Sequence, residues 1–589
     1  MLKTAALCLL LSLVTLASSA QKIDQPAAYA LYFKTWNFIK YYHPDFASGK
    51  LNADSIFLRY IDEIAKVQDK KTWNKFLQSS LLQFPLPAAI AEKDTAAAGN
   101  LLDKNVNFSW YTKSTLLDRK NKKRLAAIFK HRYQSANHYY LPALNFNSDI
   151  PNEKVYSFPK TENIPVPYRL LALAKMQGVV DYMYPHKYLM ERNFDSLLLT
   201  QIIPALDCKD RKAYELILLT LSATLQDSHT YSFYEQLVHK RDIFNTAFFP
   251  PFAYKVFEDG ITVTDIIIPE NCQAADIKTG DYIVAINGKP VKERIEELAS
   301  LLSVSNPPAL LHYLSGYAGN LIWGLTNKDV KLVVLRNNQK TNANISFIGP
   351  GDNEGFKALN AYLSSRPGKQ TKGEALTIID HDFVYFKIFD TFRFIREVDD
   401  NNIDRHMDSL LTLVKNKKGI IFDMRGYPDW GGFAYTYLVK SFGTTPHRYA
   451  RYYEVNKQTV GTYQYKPGIE TYHQADLQVK NLPYPGKVVI IVNAETLSQS
   501  EWNTMNIQQL FPQAITVGEQ SAGADGDSKT INLPGNYKLS FTGNAIFYND
   551  GTEAQKAGVK INIPLKLTKD NFLPKGDYLL EKAIEVIKK

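Results

Sequence analysis

Apolar and polar positions alternate with different periods along this chain, and the clearest change falls near its C-terminal end. From Val488 to Val492 five apolar, mostly β-branched residues run together. The run is too short for a helix and predicts a strand buried on both faces. A polar turn, Asn493 to Ser500, follows, and Glu501 to Leu510 then carries Trp502, Met505, Ile507 and Leu510 at helical spacings. Ala514 to Val517 predicts a second strand, which leads into the loop Gly518-Glu519-Gln520-Ser521-Ala522-Gly523. Strand, tight turn and helix hold a turn side chain at a sheet edge beside free helix N–H groups. The turn offers three hydroxyls, Thr496, Ser498 and Ser500, and by position Ser500 suits the N-cap of a helix starting at Glu501.

Upstream, Ala27 to Phe84 predicts paired helices. Lys34, Tyr41, Pro44, Asn52, Asp54, Ser55 and Ile61 return as Lys175, Tyr182, Pro185, Asn193, Asp195, Ser196 and Ile202, every pair 141 positions apart. Constant spacing of this kind predicts a duplicated helical unit. His43 and His186, beside the repeated prolines, read as structural. Pro85 to Pro167, between the copies, is polar and tyrosine-rich and has no clear period. The second copy continues into an apolar helix, Leu216 to Leu225, and stops at Gln226-Asp227-Ser228-His229-Thr230. Alternating strands at Ile261–Ile268 and Val330–Leu335 flank a turn, a strand and an Asn287-Gly288 hairpin signal. Gly349 to Gly373 reads as a link rich in Gly, Pro and charge. Strands follow at Ala375–Ile379 and Phe383–Ile388, then a helix near Ile395–Lys415 and the strand Gly419–Asp423. That strand feeds the turn Arg425-Gly426-Tyr427-Pro428-Asp429-Trp430-Gly431-Gly432. Two more strand patterns, Tyr537–Phe541 and Ala545–Tyr548, precede Asp550 to Val559 and the segment Ile561-Asn562-Ile563-Pro564.

Composition narrows the class. With 589 residues, 45% hydrophobic and 22% charged, the chain is an ordinary globular one of three or four domains. The net charge of +10 is spread out apart from a short cluster at Arg119 to Arg124, so nucleic acid is not an expected partner. Residues 1–20 have the form of a cleavable signal peptide: Lys3, the apolar run Ala5 to Leu16, then Ala17-Ser18-Ser19-Ala20. A secreted or periplasmic location follows, with no membrane anchor, because the apolar run is too short to span. Cys208 and Cys272 remain after cleavage, and an oxidising compartment permits a disulfide between them. No cluster has metal-ligand spacing, and no cofactor is expected.

The motif Thr496-Leu497-Ser498-Gln499-Ser500-Glu501, with Gly518 to Gly523 downstream, resembles the nucleophile region of the C-terminal-processing and tricorn-like serine peptidases. The resemblance implies that Ser498 is the nucleophile. Ser–Lys members of the family place a lysine after the last glycine of the second motif, where this chain has Ala524, with Lys529 a distant substitute. The tricorn-like branch uses Ser, His and Glu. Asp-Ser-His-Thr resembles its histidine motif, which implies His229 as the base and Ser228 as a residue orienting the base or the substrate. The turn ending in Gly431-Gly432 resembles the family loop that supplies one oxyanion-hole N–H, from either glycine, with the Gln499 N–H as the second. The stretch before Gly558 and Pro564 resembles the one that carries the triad glutamate in the tricorn-like branch, which implies Glu553 as the carboxylate that orients the base. Residues from about 250 to 347 resemble a PDZ domain, which binds extended peptides at a sheet edge.

Taken together, the resemblance implies a multidomain α+β chain. A signal peptide occupies 1–20, and a helical N-terminal region with an internal repeat, 21–248, contributes the histidine motif. A PDZ-like β domain (249–348) and a linker (349–374) precede an α/β, ClpP/crotonase-like catalytic domain (375–589). The implied activity is a secreted serine endopeptidase cleaving polypeptide substrates, bound through the PDZ-like groove and cleft, by a Ser-His-Glu triad and an acyl-enzyme. The alternative is a peptide- or ligand-binding protein on the same scaffold; retinoid-binding relatives are of that kind.

Overall fold

A computed structural model describes residues 23–87, 100–142, 149–365, 376–388, 391, 402–429, 433, 437–444, 450–467, 481–572 and 576–589. The expected signal peptide lies outside these residues. Among them no helix is long and apolar enough to cross a membrane. Cys208 and Cys272 are both unpaired.

The N-terminal region is built on helices α1 (Gln25–Tyr42), α2 (Ala53–Tyr60), α3 (Val166–Gly178), α4 (Phe194–Asp207) and α5 (Arg211–Ala223). Helix α1 has no simple polar face, because α3 and α4 pack on it and bury most of its length. Asn52 and Asn193 cap α2 and α4 in the same way. Each side-chain oxygen accepts from the N–H three residues on, Ser55 at 2.8 Å and Ser196 at 2.9 Å. Positions 141 apart also pair crosswise. Lys34 Nζ lies 2.9 Å from Asp195, and Lys175 Nζ lies 3.0 Å from Asp54. Between the two segments, Glu153 lies fully buried with Lys40 Nζ at 2.5 Å and Lys175 Nζ at 2.8 Å.

The next unit is an antiparallel sheet of β1 (Phe252–Phe257), β2 (Gly260–Ile266), β3 (Tyr282–Ile286), β4 (Asp329–Arg336) and β5 (Gln339–Ser346), paired in that order. Helix α6 (Pro307–Leu314) packs beside β1, which is an edge strand. The stretch read as a link is partly helical: α7 runs from Asn353 to Ser365. Its start is stabilised where Asp352 accepts from the Gly355 N–H at 2.9 Å, a local cap that outweighs the glycine's cost in a helix.

The last unit is a six-stranded sheet. Its strands are β6 (Leu376–Ile379), β7 (Phe383–Lys387), β8 (Gly419–Asp423), β9 (Lys487–Val492), β10 (Ile515–Gly518) and β13 (Ile563–Pro564). They lie in the order β13-β10-β9-β8-β7-β6, with the edge strand β6 antiparallel to the rest. The run Val488–Val492 is buried on both faces, as its continuous apolar character predicts. Val488, Ile490 and Val492 face Met505, Ile507 and Leu510 of α9 (Gln499–Leu510); Val489 and Ile491 face Leu579, Ala583 and Ile587 of α10 (Tyr578–Lys588). A hairpin of β11 (Ser528–Leu533) and β12 (Tyr537–Thr542) leaves this unit and packs against the segment carrying His229. That hairpin joins the helical region to the C-terminal sheet. The helix expected near 395–415 is α8, described from Ile403 to Lys415.

Candidate active site

Parallel strands deliver their following loops to one edge of a sheet, where ligands and reacting groups collect. Ser498 stands at that edge, after β9 and immediately before α9. Its backbone has φ 53° and ψ −113°, a conformation that costs an L-residue free energy and is held only by its surroundings. Helix α9 begins at Gln499, two residues earlier than the Ser500 cap implies, and Ser498 takes the N-cap position. The carboxylate of Glu501 does much of the holding. It is fully buried and accepts from Ser498 N at 3.1 Å, Ala524 N at 2.9 Å, Gly523 N at 2.8 Å and Ser521 Oγ at 2.6 Å. One side chain thereby ties the Ser498 turn to the glycine loop that follows β10. Burial raises the Glu501 carboxyl above the usual range, and those four donors act in the opposite sense.

The three hydroxyls of the turn have separate fates. Thr496 and Ser500 are fully buried, and both donate to the Met424 carbonyl at the end of β8, at 2.9 and 2.7 Å. Ser500 therefore ties the first turn of α9 to the end of β8 and is not the helix cap. Only Ser498 faces the sheet edge: its Oγ donates to the Gly526 carbonyl at 3.3 Å, a long bond, and the Tyr427 hydroxyl is its neighbour. The next residue, Gln499, has its backbone N–H bonded to no carbonyl among the described residues, as befits the first residue of a helix. Gly431 and Gly432 lie outside the described residues.

His229 comes from the start of a short 3₁₀ segment, Ser228–Gln236, capped by Asp227. Its Nδ1 is 2.8 Å from Thr542 Oγ1 at the end of β12. Gly526 links the two halves of the site. With φ 129°, it turns its carbonyl to Ser498, while a Cβ there would lie 3.0 Å from the Thr542 methyl. Ser498 and His229 make no direct hydrogen bond.

Residues 389–565 match the model of peptidase family S41. This part of the chain belongs to peptidase family S41. It is a serine-type peptidase domain, and Ser498 lies within it whereas His229 lies outside, in the helical region. No curated protein matches the chain. Among solved structures, mature CPAF complexed with lactacystin is 14% identical, covering 72% of this chain and 98% of its own, with a TM-score of 0.49. The photosystem II D1 C-terminal processing protease is also 14% identical, covering 72% and 97%, at a TM-score of 0.33. A putative peptidase from Parabacteroides merdae is 12% identical, covering 72% and 98%, at 0.37. At these scores the likenesses carry no structural inference.

Two residues suggested by the resemblance stand elsewhere than expected around the S41 domain. Glu553 does not touch His229. Its Oε1 is 3.1 Å from His186 Nδ1 and accepts from the Tyr188 hydroxyl. The left-handed turn at Gly551 and the bridge from Glu553 to Phe547 aim the carboxylate at the helical region's Pro185 corner. His186, read from sequence as structural, is thus the partner of this acid. Ser228 does not orient the imidazole either. It is buried, and its hydroxyl donates to Ala522 O at 3.0 Å and meets Ser305 Oγ at 3.1 Å. Ala524 is fully buried with its N–H on Glu501, so no ammonium enters at the lysine position. Lys529 sits in β11 opposite Phe541, with its stem over Gly543. Sequence reasoning missed Asp227, Thr542, Tyr427 and Gly526. Asp227 and Tyr427 lay inside motifs already singled out, while nothing local marked Thr542 or Gly526.

Proposed function

We propose that this chain is a secreted or periplasmic serine endopeptidase that cleaves peptide bonds of polypeptides through an acyl-enzyme on Ser498. The observation that carries this reading is the separation of the three hydroxyls: two are locked on Met424, and the third sits on a strained turn at the helix N-terminus. Ser498 Oγ attacks the scissile carbonyl, and His229 takes its proton and returns it to the leaving amine. The developing oxyanion rests on the Gln499 N–H and on a backbone N–H of Gly431 or Gly432. A fluorophosphonate probe tests the reading. The intact chain should label at Ser498 and Ser498→Ala should not; an unlabelled intact chain would return the protein to the class of binding scaffolds.

Substrate is held, in the same reading, by a PDZ-like domain over 250–347. Edge strand β1 and helix α6 line a cavity of about 440 Å³ whose far wall is the S41 domain, including Asn493, Ala494 and Glu519. The domain is also welded to the catalytic parts. Ser303 Oγ accepts from Asp227 N at 3.0 Å, and Asn306 Nδ2 donates to Ser521 O at 2.8 Å. Removing the whole domain would therefore disturb the base, so the groove is better tested by filling it. Leu311→Trp should slow cleavage of long unfolded polypeptides about 10-fold and of short peptides little, on the order of one lost apolar pocket contact. Equal losses on both substrates would make the domain a support only.

A further inference from the structure

We propose that Asp227, acting through the Thr542 hydroxyl, is the carboxylate that positions His229, in the role the family pattern would give to Glu553. The inference rests on the reading of His229 as the base. Its ground is a count of protons. Thr542 has one hydroxyl hydrogen and two close polar neighbours, Asp227 Oδ1 at 2.9 Å and His229 Nδ1 at 2.8 Å. An ionised carboxylate can only accept, so the hydroxyl hydrogen goes to Asp227. The oxygen is then an acceptor toward the imidazole, and Nδ1 must carry the ring proton. That tautomer leaves the Nε2 lone pair free for the Ser498 proton.

The rest of the geometry keeps Asp227 fixed and ionised. It is fully buried, and besides the Thr542 hydroxyl it accepts from Thr542 N at 2.5 Å and His229 N at 3.1 Å. Its Oδ1 is 3.7 Å from His229 Nδ1, close enough to stabilise an imidazolium directly. Burial pushes the Asp227 carboxyl up, but the hydrogen bond and charge of His229 and the Thr542 N–H outweigh it and hold it below the usual range. Tyr184 and Tyr313 also feel the Asp227 charge. Burial raises the Tyr184 hydroxyl first and the Asp227 charge after it; for Tyr313 burial comes first, then the Glu501 charge and then that of Asp227, so both stay neutral over the working range. Glu553, in contrast, is engaged with His186 and Tyr188.

Thr542→Val keeps the side-chain shape and removes the bridge. It should lower kcat about 10²-fold with KM little changed, and Thr542→Ser should restore kcat to within about 3-fold. Asp227→Asn should cost about 10⁴-fold and move the acid limb of the pH–rate profile to lower pH, because the imidazolium loses its neighbouring anion. ¹⁵N spectra of the His229 ring give a readout independent of turnover: Nδ1–H in the intact protein and in Thr542→Ser, and Nε2–H in Thr542→Val. Glu553→Gln should leave both the spectrum and the acid limb in place. If Glu553→Gln shifts the limb, or Thr542→Val keeps full kcat and the Nδ1–H form, the relay is overturned. A His229→Ala protein that keeps its turnover would instead overturn the base itself, a separate failure.

Discussion

Replacing His229 with alanine is expected to lower kcat by roughly 10⁶-fold, about what the loss of a serine peptidase's base removes, leaving only the contribution of binding and oxyanion donors. Ser498→Ala should be equally inactive, and the double variant no worse than either alone, because nucleophile and base act as one unit. KM for short peptides should change little, since neither group holds substrate in the ground state. Lys529→Ala should retain most activity, because that lysine lies in β11 and Ala524 occupies the position of the Ser–Lys family. Steady-state kinetics with a fluorogenic peptide measure all four variants. An inactive Lys529→Ala beside an active His229→Ala would replace the histidine mechanism by a displaced Ser–Lys pair.

The largest stability effect is expected far from Ser498, at Glu153. Its carboxylate lies fully buried between Lys40 Nζ at 2.5 Å and Lys175 Nζ at 2.8 Å, the latter a charge contact off the hydrogen-bond direction. Lys40 also lies over the rings of Trp36 and Tyr140, 4.9 and 4.5 Å from their centroids. Glu153→Ala would leave two buried ammonium groups with Asp54 as their remaining acid, at a cost of about 3–5 kcal/mol. Lys40→Met combined with Glu153→Leu should recover much of that loss, because it removes the charges in pairs. Burial pushes the Glu153 carboxyl up, but the charges of Lys175 and Lys40 outweigh it and hold it below the usual range. Its stabilisation is therefore complete above about pH 4.3, the ordinary glutamate value, and is lost as pH falls through the lower folded-state value. Denaturant titrations of the intact protein and both variants, at neutral pH and at acid pH, measure these shifts. A Glu153→Ala protein as stable as the parent would mean that water or another anion reaches the two lysines.

Short-range pattern alone determined the elements that carry the chemistry. Five apolar residues before a polar turn marked β9, because a strand with helices on both faces has no polar side. The 141-residue spacing marked Asn52 and Asn193 as equivalent, and they cap α2 and α4 in the same way, because a cap needs only the N–H groups two or three residues on. The order of motifs, His229 far ahead of Ser498, was equally legible. The tertiary structure decided which polar groups meet. Of three hydroxyls in one turn, Met424 of another strand engaged two and left Ser498. Glu553 turned to His186, 367 positions away, and Thr542 closed on His229 across 313. A side chain's local sequence sets its reach and its donors, but a hydrogen bond also needs a partner within about 3 Å, and only the packed chain supplies that partner.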